Sequence, residues 1–184
     1  MLVSTRGGQG VTASQAILAG IAPDGGLYVP ESLPQVSSLE IESLCALSYA
    51  ERAQRILSLL LDDFSEAELY KATQAAYGTR FEGGVPAPLR RLNGNTSLLE
   101  LYHGPTLAFK DMALQILPHL LALSARKNGV DKEIVILVAT SGDTGKAALE
   151  GFCDVPGTRC AVFYPQNGVS RAQYLQMATQ AGEN

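Results

Sequence analysis

The sequence predicts an α/β fold: a mostly helical N-terminal module over residues 1–85, then a parallel-sheet βαβα unit within residues 86–184. Three observations carry that expectation. Apolar residues between Ser43 and Leu61 recur at helical spacing. Glu133 to Ala139 is a continuous β-branched run, the mark of a strand covered on both faces of a parallel sheet. That run passes directly into a glycine-rich turn, Thr140-Ser141-Gly142-Asp143-Thr144-Gly145, then a helical pattern and a second strand at Cys160–Tyr164.

Ser4-Thr5-Arg6-Gly7-Gly8 reads as a glycine-punctuated loop whose Arg6 either contacts an anion or belongs to a flexible terminus. Thr12 or Ser14 can cap a short helix that Gly20 ends. Ala22-Pro23-Asp24-Gly25-Gly26 is dense turn chemistry, and Leu27-Tyr28-Val29 is a short strand closed by Pro30. From Ser43 to Leu61 one helix is expected, with Leu44, Leu47, Ile56, Leu57 and Leu60 on its apolar face. Ser65 with Glu68 forms a capping-box pattern that opens a helix to about Tyr77. Glycines and prolines from Gly78 to Pro88 mark the boundary between the two modules.

Asn93-Gly94 lies between Pro88–Leu92 and Thr96–Tyr102, the strongest short-range hairpin signal. The second strand leads into His103-Gly104-Pro105-Thr106-Leu107-Ala108-Phe109-Lys110-Asp111, so Lys110 is expected to be rigidly placed. A helix follows with Met112, Ala113, Ile116, Leu117, Leu120 and Leu123 inward, kinked at Pro118, and ended at Lys127-Asn128-Gly129. Ser170 caps a last helix through Tyr174, Leu175 and Met177.

Composition removes several classes of function. At 46% hydrophobic and 17% charged, the 184-residue chain can build a core. Its net charge of −4 gives no general attraction for nucleic acid or anionic lipid. No run reaches the roughly 18 apolar residues of a membrane span. The N-terminus lacks the pattern of a secretory signal. Cys45, Cys153 and Cys160 form no CxxC pair, which suits a reduced, cytoplasmic compartment. With two histidines, His103 and His119, no metal site is expected.

The chemistry concentrates at two places. Lys110 is suited to imine formation with a carbonyl compound wherever its surroundings favour the neutral amine. The turn Ser141–Gly145 stands at the carboxyl end of a predicted strand, where open α/β sheets bind ligands. Its glycines let backbone N–H groups approach an anion, and Ser141 and Thr144 offer hydroxyl donors. Asp143 can accept from a phenol or an ammonium. The spacing is not that of a Walker loop. Together the two segments point to an anionic ligand with an imine-forming carbonyl.

The stretch His103–Asp111, continued by Ala113-Leu114-Gln115, closely resembles the cofactor-lysine segment of threonine synthases. Ser141–Gly145, Ser4–Gly8, Ala22–Pro30 and Phe163-Tyr164-Pro165 are similar to further segments of that family, in the same order. The resemblance covers nearly the whole chain. It implies the tryptophan-synthase-β-like (fold-type II) architecture and pyridoxal 5'-phosphate as cofactor, held covalently by Lys110, which would also act as general base and acid. Phe109 would pack near the cofactor. Asp143 and Thr144 would serve the cofactor and, with Ser141, Gly142 and Gly145, the substrate carboxylate. The reaction implied is the PLP-dependent carbon–oxygen lyase chemistry that converts O-phospho-L-homoserine and water to L-threonine and phosphate.

Members of that family are more than twice as long as this chain. The expectation is therefore an N-terminal fragment with an incomplete cofactor-binding domain, inactive by itself and prone to self-association through uncovered surface. Two alternatives stand beside it. One is a threonine-synthase-like phospho-lyase or another β- or γ-eliminating enzyme of the fold. The other is a non-catalytic domain that binds an anion or a protein partner.

Overall fold

In the computed structural model, residues 1–140 and 142–184 are described, and the chain forms two units. The first unit is Met1–Ala75 with Leu120–Asp131; the second is Ala76–His119 with Lys132–Asn184.

The first unit begins with β1 (Leu2–Ser4), antiparallel to β2 (Tyr28–Pro30), with Val3 opposite Val29. The turn between them is held by Asp24. Its Oδ1 accepts from Ser4 Oγ at 2.7 Å and from the Gly26 N–H at 2.8 Å, and its carbonyl accepts from Arg6 Nη1 at 3.2 Å. Arg6 therefore closes a turn instead of hanging from a loose terminus. Helix α1 (Ala13–Ala19) opens on a Thr12–Gln15 capping box and stops at Gly20, as the sequence predicts.

The single helix expected from Ser43 to Leu61 is two. Helix α2 (Ser38–Leu44) and helix α3 (Tyr49–Ser58) each begin on their own capping box, Ser37 with Glu40 and Ser48 with Glu51. Ser48 takes an extended conformation to make its cap, so the helix cannot run through it. Helix α4 (Glu66–Tyr77) opens on the predicted Ser65–Glu68 box, where Glu68 Oε2 accepts from the Ser65 N–H at 2.8 Å. Burial in this unit centres on Ala13, Ala16, Phe64, Leu69, Ala72 and Leu121.

In the second unit the predicted hairpin forms as β3 (Leu89–Asn93) and β4 (Thr96–Leu99), with Leu89 opposite Leu99. Both strands are exposed along their whole length. The helix after Lys110 is broken, not kinked: α5 (Asp111–Leu114) ends before α6 (Leu117–Lys127) begins, and α6 from Leu120 onward belongs to the first unit. Pro118 falls in the first turn of α6, where its missing N–H has no helical partner to lose. The last part of the unit is β5 (Ile134–Ala139), α7 (Asp143–Phe152), β6 (Thr158–Phe163) and α8 (Arg171–Ala178). Strands β5 and β6 pair in parallel, Ile134 opposite Thr158 and Ala139 opposite Phe163. The expected strand–helix–strand–helix order with a parallel pair is present, and the fold is a mixed α/β one.

Strand β5 departs from its prediction. Burial alternates along it, with Val135 52% and Leu137 68% exposed. Helix α7 covers only the other face: a Cβ at Gly145 of α7 would meet Val162 Cγ1 of β6 at 2.8 Å. An apolar run of this kind suits cover on both faces, and within the described residues it has cover on one.

Helix α7 is the centre of the unit. Ala147, Ala148 and Phe152 are buried, and Gly151 admits the backbone of α5. A Cβ at Gly151 would lie 2.1 Å from the Leu114 carbonyl oxygen, a backbone atom with little freedom to yield. Gly151→Ala should therefore force α5 and α7 apart and lower stability by about 1–3 kcal/mol. Chemical denaturation of the two proteins measures the difference; an unchanged midpoint would remove the close contact.

Candidate active site

Lys110 and the loop 140–145 both belong to the second unit. Each is attached to one of the two helices that meet at Gly151: Lys110 immediately precedes α5, and the loop opens α7. Among the described residues no hydrogen bond joins Lys110 to the loop, so what links them is this helix packing.

Lys110 owes its placement to its neighbour. Asp111 has no exposed surface. Its Oδ2 accepts from the Thr106 N–H at 2.9 Å and its Oδ1 accepts from Thr106 Oγ1 at 2.7 Å. A buried carboxyl needs such donors, because desolvation without them costs several kcal/mol. The sequence allowed Asp111 as a helix N-cap or a first-turn acid. It is the first residue of α5, reaching back across the preceding turn. Gly104 completes that turn, since a Cβ there would lie 2.4 Å from Asp111 Oδ2 and 2.6 Å from Asp111 Cβ. Leu107 sits within it at φ +59°, a strained conformation for a leucine. The backbone before Lys110 is thus fixed by three partners, Gly104, Thr106 and Asp111.

The lysine side chain is half-buried, with Nζ 4.5 Å from the centre of the Phe109 ring. Phe109 is 62% exposed. Among the described residues no carboxylate pairs with Lys110. Upstream, His103 Nε2 and Glu100 Oε2 are 2.9 Å apart, and the His103 ring stacks on Tyr102 at 4.7 Å. The His103 hydrogen bond holds the Glu100 carboxyl below its usual range. Five residues beyond Lys110, Gln115 is 1% exposed, and its amide has no partner among the described residues.

In the loop, Ser141 lies outside the described residues. Thr140 Oγ1 accepts from the Gly142 N–H at 3.1 Å. Gly142 and Gly145 are buried, whereas Asp143 and Thr144 are exposed. The Thr144 hydroxyl makes no hydrogen bond to another described residue. Asp143 Oδ1 accepts from Gln173 Nε2 of α8 at 2.8 Å. Gly145 is packed so tightly that a Cβ would meet Thr140 Cγ2 at 2.6 Å and Met177 Sδ at 2.9 Å. Sequence reasoning found the loop but missed Gln173, whose only sign is its place three residues after the capping Ser170. It also missed Thr106 and Gly151, which carry no signal until the turn and the helix pair are folded.

Residues 1–77 match the family model described as threonine synthase N terminus. Threonine synthase of Pseudomonas aeruginosa is 45% identical over 184 residues, covering 99% of this chain and 39% of that protein. The chain resembles the N-terminal part of threonine synthases. Human threonine synthase-like 1 is 41% identical over 179 residues, covering 93% of this chain and 24% of its own length. Among solved structures, the PLP-bound threonine synthase from Brucella melitensis matches with a TM-score of 0.89 and 39% identity, over 96% of this chain and 38% of that one. The chain thus spans about two fifths of the threonine synthases it matches. The family-model match ends before Lys110; the other matches run over nearly all of the chain.

The placement of Lys110 depends on the buried Thr106–Asp111 bonds. Asp111→Ala should leave the Thr106 N–H unsatisfied and lower the melting temperature by roughly 3–9 °C. Asp111→Asn keeps an acceptor for that N–H and should lose less. Calorimetry of the three proteins checks the order, and an alanine variant as stable as the parent would contradict it.

Proposed function

We propose that this chain carries the lysine-bearing part of a threonine synthase, converting O-phospho-L-homoserine and water to L-threonine and phosphate with pyridoxal phosphate. The observation that carries the reading is Lys110: an amine with no carboxylate partner among the described residues, beside an exposed aromatic ring, on a backbone fixed by Asp111. The donor set fits the cofactor. A lysine amine suits its aldehyde, the Phe109 ring suits one side of its flat ring, Asp143 offers an acceptor, and Thr144 offers a hydroxyl that bonds no other described residue. In this reading residues 86–184 are a partial cofactor-binding domain and residues 1–85 the preceding module.

Bound pyridoxal phosphate supplies the electron sink that stabilises negative charge beside the amino acid's α-carbon. The chain's own groups do the rest. Lys110 Nζ holds the cofactor, then takes and returns protons as general base and acid. Phe109 shields one side of the site from water. Ser141 and Thr144 offer the substrate carboxylate donors at the start of α7, where the helix end favours an anion, and Gly142 and Gly145, whose own N–H groups bond Thr140 Oγ1 and the Gly142 carbonyl, shape the turn that receives it. Asp143 accepts from a donor of the ligand. Orientation of this kind accounts for much of what a protein adds to cofactor chemistry.

The 184 residues span two fifths of the P. aeruginosa relative, and one face of β5 is apolar and exposed. Both facts support a reading in which turnover needs polypeptide beyond these residues, and in which the uncovered face promotes self-association. A second reading, a phospho-lyase or another β- or γ-eliminating enzyme of the fold, would use the same groups.

In the complete protein carrying this sequence, Lys110→Ala should abolish the absorbance band of bound cofactor and reduce threonine formation at least about a thousandfold. Thr144→Ala should keep the band and weaken substrate binding about tenfold. A band that survives in Lys110→Ala would sink the assignment. Phosphate release without threonine would favour the phospho-lyase.

A further inference from the structure

Helix α8 lies along α7 with three points of attachment in the same order on both. Gln173 Nε2 donates to Asp143 Oδ1 at 2.8 Å, Met177 packs where a Cβ of Gly145 would stand, and Gln180 joins Lys146 and Glu150. Gln173 and Met177, four residues apart, share one face of α8, and Gln180 follows just beyond its end. The first of these contacts differs from the others in what it touches. It holds a side chain of the glycine-rich loop, where Met177 only fills space beside Gly145, and it is tied at both ends. While Nε2 donates to Asp143, Oε1 of the same amide accepts from the Ser170 N–H at 3.1 Å, as the N3 partner in the capping box of α8. The amide also fills the space over Gly142, where a Cβ would lie 2.3 Å from Nε2.

We propose that Gln173 is a positioning residue: it fixes the Asp143 carboxylate and holds the 142–145 turn in the form that receives the substrate carboxylate. The inference rests on the reading of that turn as the substrate loop. Asp143 is exposed and would otherwise rotate freely over the start of α7. A carboxylate swinging there would oppose an incoming anion. Bound to Gln173, it is drawn towards α8, and an amide is the side chain that can donate to Asp143 with one end while accepting from the α8 cap with the other.

Two substitutions separate positioning from capping. Gln173→Glu keeps the capping box, because glutamate serves at that position, but sets a carboxylate against Asp143. Ser170→Ala removes the cap's hydroxyl and leaves the amide bond to Asp143. In NMR spectra of the 184-residue chain, the Gln173 side-chain amide should be displaced from its free position and slow to exchange. Asp143→Ala should return it there, and Ser170→Ala should not. In the complete protein, Gln173→Glu should raise KM for O-phosphohomoserine about tenfold with kcat changed less than about twofold and the cofactor band intact. Ser170→Ala should lower the melting temperature without moving KM. A Gln173 amide indifferent to Asp143→Ala overturns the proposal, as does a Ser170→Ala variant with the same KM rise. A parent protein without turnover overturns the enzymatic reading and the positioning role with it, while the NMR comparison still decides whether the bond exists.

Discussion

The arrangement around Lys110 depends on one buried carboxyl group. Asp111 has no contact with solvent, and both its oxygens accept from a single residue, Thr106. Because a buried polar group must be partnered, the carboxyl dictates the course of the five residues before it. It requires the chain to turn at Gly104, where no side chain fits, and it offsets the strain of Leu107. A lysine following such a turn has little backbone freedom. A fixed backbone under a half-buried side chain is the combination that the role proposed for Lys110 needs.

A second constraint acts along helix α7. Helix α7 is approached closely on three sides, each at a small residue. The α5 backbone comes to Gly151; Met177 and Val162 come to Gly145; Gln173 comes to Gly142. These are backbone-to-neighbour approaches that any Cβ would obstruct, so α7 is seated by shape more than by polar bonds. The consequence for the site is geometric. Lys110 and the loop have no hydrogen bond between them among the described residues, yet neither can shift without disturbing the α5–α7 contact.

What the sequence made legible follows from the range of each signal. Capping boxes, the Asn93-Gly94 hairpin and the parallel-strand pattern are local, and they placed α1, α4, β3, β4, β5 and β6. Ser48 with Glu51 is also a local signal, overlooked because an unbroken apolar face from Leu44 to Leu60 suggested one helix. Pro118 shows the same competition: the apolar pattern continued through it, but the backbone restarted a helix around it. Lys110 and the glycine-rich loop stood out by residue type. Their supports did not, because Thr106, Gly151 and Gln173 acquire meaning only from partners that folding brings near.

The exposed side of β5 adds an argument of its own. Val135 and Leu137 point away from α7 and present apolar surface that a finished α/β layer would bury. Burial of such a face is worth about 25 cal/mol per Å², so leaving it open carries a standing cost in free energy. A strand with this composition is explained by a second covering layer, and the relatives, which extend well beyond the matched region, have the length to supply one. The same consideration bears on the loop. It stands at the C-terminal end of β5, where α7 begins, and its Asp143 and Thr144 are exposed. Donors aimed at an anion gain strength as water is excluded, so cover over the loop would favour the binding role proposed for it.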